Sequence, residues 1–186
     1  ESRLGTSDTT AADWGSDAQK VHWLPRLCSL DAIGCYALTE PDAGSDVSSL
    51  RTRAVRRGDQ YLVNGQKTWN TLGQHADWIF CLVRTDPEAK AQRGISFLLI
   101  DMKSPGVTVR PIITLDGAHE VNEIWFEDVA VPVENRVGEE NQGWHMLMHG
   151  LAQERMVVAV RSMAICTATL EQTVEYVKTR KAFGTP

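Results

Sequence analysis

Arg57-Gly-Asp-Gln-Tyr-Leu-Val-Asn-Gly65 is the stretch whose reading decides the fold. Gly58-Asp59 and Asn64-Gly65 are dipeptides suited to two-residue hairpin turns, where φ must turn positive. Between them runs a short segment that alternates apolar and polar residues, the period of a half-buried strand. Outward from it, strand-like segments occupy residues 50–57, 60–63, 78–84, 95–101, 107–110 and 123–128, with Ser104-Pro-Gly106 as a further turn. Short strands with turns between them predict an α+β protein whose centre, residues 35–138, is a small antiparallel β-barrel or sandwich. No strand–helix–strand alternation is visible, and the Gly-rich stretch lacks GxGxxG spacing. Both observations argue against a Rossmann domain.

Helices flank this region. Residues 1–34 read as polar and then helical. Asp17-Ala-Gln-Lys-Val-His-Trp-Leu-Pro25 starts at an N-cap on Ser16 or Asp17 and is predicted to stop against Pro25. From about Asn141 the period changes. Met156, Val160, Met163, Thr167, Leu170, Val174 and Val177 recur at spacings of three and four, the core stripe of a bundle helix. A shorter helix around residues 144–149 is predicted to bend away from it at Gly150. Three parts follow: 1–34, 35–138 and 139–186. The chain opens on Glu1 rather than Met and stops at Phe183-Gly-Thr-Pro186 as the helical pattern finishes, which predicts a piece of a longer protein.

Composition narrows the function classes. Hydrophobic residues make up 42% and charged residues 23% of the 186, ordinary for a soluble globular protein. A formal net charge of -5 offers no electrostatic case for nucleic acid or an anionic membrane. The local basic run Arg51, Arg53, Arg56 and Arg57 reads as a solvated hairpin face. Cys28, Cys35, Cys81 and Cys166 show no CxxC and no His at ligand spacing, so a metal site is not expected. They read as reduced, partly buried thiols of a cytosolic protein. No apolar run approaches a membrane span.

Two segments carry unusual chemistry. Cys35-Tyr-Ala-Leu-Thr-Glu-Pro-Asp-Ala-Gly-Ser-Asp46 ends in a Gly-Ser pair whose backbone N–H groups could approach a pyrophosphate. Gln66-Lys-Thr-Trp-Asn-Thr71 puts an indole and a hydroxyl two residues apart, on one side of an extended chain. An aromatic plate beside a hydroxyl suits a flat heteroaromatic ring with a hydrogen-bonding edge. Alone, either segment is more simply a turn or a core aromatic. In order, they resemble the flavin-binding segments of the acyl-CoA dehydrogenase family.

That resemblance implies FAD as cofactor. Tyr36, Leu38 and Thr39 would lie along the isoalloxazine, with Thr39 bonding its pyrimidine edge. Gly44 and Ser45 would contact the pyrophosphate, and Ser45 would also border the acyl-CoA. Trp69 would cover the ring and Thr71 would bond near N5. Asn70, where the family more often has Ile or Ser, belongs to the same cofactor segment, its side chain directed away from the ring. Val121-Asn-Glu-Ile-Trp-Phe-Glu-Asp-Val-Ala-Val-Pro132 resembles the family's last β-domain strands. Arg180-Lys-Ala-Phe-Gly184 resembles its RxxFG signature, with Arg180 and Phe183 reaching the cofactor of a neighbouring subunit in a homo-oligomer.

The reaction implied is α,β-dehydrogenation of an acyl-CoA to the trans-2-enoyl-CoA. Electron-transfer flavoprotein would accept the electrons, in a bacterial cytoplasm rather than a mitochondrial matrix. Leu151-Ala-Gln-Glu-Arg155 matches the isovaleryl and long-chain branches, which place the catalytic Glu immediately before an Arg. Glu154 is therefore the candidate base, and Glu154 and Arg155 are candidate substrate contacts. Ala152 stands where the family often has a substrate-contacting Asp. His75 reads as a loop residue. An acyl-CoA oxidase or related flavin monooxygenase of the same fold, and a non-enzymatic β-barrel binding module, are the alternatives.

Overall fold

The computed structural model describes residues 6–184. Helices α1 (Thr6–Trp14) and α2 (Asp17–Ser29) lead into eight strands and a long helix, α3 (Gly143–Thr179). Ser16 caps α2 through a reciprocal box: its Oγ accepts the Gln19 N–H while Gln19 Oε1 accepts the Ser16 N–H. Contrary to the sequence expectation, α2 does not end at Pro25 but runs through it to Ser29. Trp23 and Leu27, on either side of the proline, are both buried, and Trp23 meets the Trp78 ring at 4.4 Å. That tertiary packing outweighs the one backbone bond that proline removes.

The strands are β1 (Gly34–Ala37), β2 (Arg53–Arg57), β3 (Gln60–Thr71), β4 (Trp78–Arg84), β5 (Ile95–Asp101), β6 (Val107–Ile112), β7 (Val121–Pro132) and β8 (Arg136–Val137). They form one sheet in the order β6-β7-β3-β2-β4-β5-β8, with β1 beside β4. Pairing is antiparallel except where β1 and the start of β2 run parallel to β4. The barrel expectation is corrected, because the sheet is open, with β6 and β8 as its edges. β8 is two residues long and Pro111 removes a donor from β6, so the edges have little with which to pair. The sheet folds over instead. Ile79, Cys81 and Val83 of β4 and Leu98 and Ile100 of β5 share one core with Ile124, Phe126, Val129 and Val131 of β7. These strands lie far apart in the sheet order, so the sandwich form of the expectation fits.

Gly58, at φ +65°, closes the β2–β3 hairpin as read. Asn64-Gly65 does not turn: β3 runs straight through it. A Cβ at Gly65 would lie 2.6 Å from Thr52 Cα, so glycine here permits a close approach. Asn64 locks across the sheet to Asp128, its Nδ2 donating to Oδ1 at 2.9 Å and its Oδ1 accepting the Asp128 N–H at 2.9 Å.

The chain divides into two compact units at Met148 and His149. In the first, Gly143, Met146 and Leu147 at the start of α3 are buried, and a Cβ on Gly143 would meet Ser96 Cα at 2.9 Å. In the second, the stripe from Met156 to Val177 is exposed along α3. The two helices expected on either side of Gly150 are one, because glycine keeps the N–H that proline lacks and α3 runs through it.

Candidate functional site

The first chemistry-bearing segment begins as β1. The Tyr36 ring packs inward on Phe80 and Phe97, with centroids 6.3 and 5.5 Å away, and its hydroxyl lies 3.2 Å from Thr10 Oγ1. The chain then turns at Pro41-Asp42, closed by a reciprocal backbone pair between Glu40 and Ala43 at 3.0 and 3.1 Å. Ala43 is buried, whereas Gly44, Ser45 and Asp46 face solvent. A Cβ placed on Gly44 would meet nothing within 4 Å. Packing among the described residues therefore does not require glycine there.

The second segment is the far end of β3. From Thr68 onward burial alternates: Thr68 and Asn70 are buried, while Trp69 is 58% exposed and Thr71 is exposed two residues on. A β-bulge interrupts the pairing with β7 between Lys67 and Asn70, and Trp69 within it adopts φ +63°. The indole and hydroxyl thus share one open face.

A ladder of polar contacts joins the two segments. The Thr68 N–H donates to the Thr39 carbonyl at 2.9 Å, and Asn70 Nδ2 donates to the Tyr36 carbonyl at 3.0 Å. Lys67, wholly buried, donates from Nζ to the Leu38 carbonyl at 3.0 Å and to Glu40 Oε1 at 2.8 Å. The same carboxylate accepts the N–H groups of Arg51 and Thr52 at 2.6 and 2.9 Å. Burial alone would push the Glu40 carboxyl up, but the Lys67 charge and these hydrogen bonds hold it below its ordinary value. Among the described residues Asn70 Oδ1, though buried, has no hydrogen-bond partner, and Asn122 Nδ2 donates to the Asn70 carbonyl at 3.1 Å.

Several expected site residues therefore come together: Tyr36, Leu38, Thr39, Gly44, Ser45, Trp69, Asn70 and Thr71 all sit on these two joined segments. Lys67 and Glu40 are the members that sequence reading missed as site-builders. A signal existed, because counting by twos from Tyr61 and Val63 puts residue 67 on the buried face, where a lysine needs an acid. Glu154 and Arg155 lie in the second unit, exposed on α3. Arg180 N donates to the Tyr176 carbonyl at the end of that helix, and Phe183 is fully exposed at φ +53°. His75 is an exposed residue in a short 3-10 turn. Burial pushes the Cys35 and Cys81 thiols up to about 12, so neither is a nucleophile at neutral pH. Among the described residues there is no cluster suited to a metal ion and no helix long and apolar enough to cross a membrane.

Comparison with known proteins is consistent across sequence and structure. Residues 35–129 match the acyl-CoA dehydrogenase middle-domain family, and residues 141–186 match the C-terminal domain of acyl-CoA dehydrogenases. The chain is 45% identical over 155 residues to the acyl-CoA dehydrogenase FadE29 of Mycobacterium tuberculosis, covering 83% of this chain and 40% of that protein. It is 39% identical over 173 residues to the mitochondrial isovaleryl-CoA dehydrogenase of Pongo abelii, covering 91% and 41% respectively. The crystal structure of an acyl-CoA dehydrogenase from Geobacillus kaustophilus aligns with a TM-score of 0.88 at 42% identity, covering 95% of this chain and 47% of that one. The chain thus spans less than half the length of these relatives. Acyl-CoA dehydrogenase homologues of this kind are FAD flavoproteins.

Proposed function

The chain belongs to the acyl-CoA dehydrogenase family, and from that premise we propose that its two joined segments form a wall of an FAD site at which an acyl-CoA thioester is oxidised to the trans-2-enoyl-CoA. The observation that carries this reading is the shared open face of Trp69 and Thr71, held beside the exposed Gly44-Ser45 turn by the ladder through Thr39, Leu38 and Tyr36. The residues present fit the cofactor. An exposed indole suits a flat ring, an adjacent hydroxyl suits a hydrogen-bonding edge, and the open space at Gly44 suits the approach of phosphate to backbone.

FAD, when bound, supplies the two-electron acceptor. Trp69 would cover the ring and exclude water from it. Thr71 would donate to the ring edge near N5, and Thr39 would hold the pyrimidine edge. Gly44 and Ser45 would offer backbone N–H groups to the pyrophosphate, and Ser45 would border the thioester substrate. Asn70 works from behind, through the Tyr36 carbonyl. Glu154 would take the α-proton as general base and Arg155 would contact substrate, while the hydride leaving the β-carbon would pass to the two-electron acceptor that FAD supplies. Arg180 and Phe183 reach toward the cofactor of a second subunit, which makes the enzyme a homo-oligomer. Residues 1–34 form the end of an N-terminal helical domain, 35–138 the middle β-domain and 139–186 the start of a C-terminal bundle. Electron-transfer flavoprotein takes the electrons, and the cytoplasm is the site of action.

Anaerobic flavin bleaching by a panel of acyl-CoAs, with the full-length enzyme and its Glu154→Gln variant, tests this. The variant should keep its FAD and no longer bleach. Normal bleaching would remove Glu154 from the base role. A full-length protein that purifies without flavin would favour the binding module, and rapid reoxidation of the reduced enzyme in air would favour the oxidase.

A further inference from the structure

Resting on the flavin reading above, we infer that Lys67, acting with Glu40 and Asn70, is a positioning latch that holds Trp69 in a left-handed backbone conformation and thereby sets the indole and the Thr71 hydroxyl toward the ring. Trp69 sits at φ +63°, a region that disfavours a bulky L-residue by roughly five- to thirtyfold. Burial does not compensate it, since 58% of the residue is exposed. Its neighbours must therefore impose the conformation.

Both flanks are pinned. On the N-terminal side, Lys67 Nζ bridges the Leu38 carbonyl and the Glu40 carboxylate at 3.0 and 2.8 Å, and the Thr68 N–H holds the Thr39 carbonyl at 2.9 Å. On the C-terminal side, Asn70 Nδ2 holds the Tyr36 carbonyl at 3.0 Å, while Asn122 Nδ2 holds the Asn70 carbonyl at 3.1 Å. Lys67, Asn70 and Asn122 are each 0–1% exposed. An ammonium with no access to water needs its carboxylate, so the Lys67–Glu40 pair sets the register of the first segment against the second. Among the described residues the Asn70 side chain leaves its buried Oδ1 unpaired, and its Nδ2 bond to the Tyr36 carbonyl fixes the exit from the bulge. Between two pinned ends one extra residue has to bulge outward. That residue is the tryptophan.

A double-mutant cycle in the full-length protein tests the latch without any ligand. Glycine meets no penalty at positive φ, so Trp69→Gly should raise the folded-to-unfolded ratio about fivefold more in the wild type than in the Lys67→Met background, where the bulge has already relaxed. Lys67→Met keeps the length of the stem, and the Glu40 carboxylate retains the Arg51 and Thr52 N–H groups, so the variant should fold. If it does not, the same cycle runs with Asn70→Leu. In the FAD-loaded protein, Lys67→Met should also move the flavin absorption band toward that of free FAD. Equal effects of Trp69→Gly in both backgrounds would overturn the latch, as would an unchanged flavin band. A coupled cycle in a protein that carries no flavin would support the latch and sink only the flavin reading.

Discussion

At the residue scale, the buried Lys67–Glu40 pair is where electrostatics and site geometry meet. The Glu40 carboxyl is held below its ordinary value, so its contribution is fully present above the unfolded value of about 4.3 and is lost as pH falls through the lowered folded one. Denaturant midpoints should therefore drop between about pH 5 and pH 3. Glu40→Gln should be less stable at pH 7 by about 3–5 kcal/mol, because Lys67 is left buried without its counter-charge, and its pH curve should be flatter. A curve as steep as the wild type would assign the acid sensitivity to other carboxylates. The cysteines divide just as sharply. Cys35 and Cys81 are buried with thiols pushed up to about 12, whereas Cys28 and Cys166 are exposed. A thiol reagent at pH 8 should label only the latter two of the folded 186-residue chain. Rapid labelling of all four would mean that the sheet opens far more often than its packing implies.

At the element scale, β3 is the spine of the molecule, and its two irregularities have different jobs. The Trp69 bulge turns an indole outward. Gly65 lets β3 press against Thr52, the residue whose N–H caps Glu40. Gly65→Ala should accordingly destabilise by about 1–3 kcal/mol, since the new Cβ would meet Thr52 backbone rather than a movable side-chain end. Urea denaturation reads this directly. A neutral result would show that the chain at Thr52 can retreat without loss. The helices teach a related lesson. α2 continues through Pro25 and α3 through Gly150, so a local breaker did not set either helix end. Trp23 and Leu27 decided the first case, and the retained N–H decided the second.

At the scale of the whole molecule, the two units differ in what they bury. The folded sheet buries a continuous core, but α3 beyond His149 exposes Met156, Met163 and Leu170 by 65–68% each. A stripe of that kind is a surface that associates. By itself the 186-residue chain should bind an apolar dye and self-associate with rising concentration, and it should retain FAD weakly or not at all. Stoichiometric flavin on a monodisperse chain would show that these residues suffice. Sequence alone placed β2, β4, β5, β6 and the start of β3, the Gly58 hairpin, a cap at Ser16 or Asp17 and the pairing of Trp69 with Thr71 two residues on, because each depends on neighbours within a few residues and on a period of two or 3.6. That β3 and β7 each run to twelve residues was set by their pairing with one another. Only the tertiary structure decided that β1 runs parallel to β4, that the sheet stays open, that Asn64-Gly65 packs rather than turns, and that Lys67 finds Glu40. Each of these is a pairing between segments distant in the chain, and its energy comes from register and burial that no local window contains.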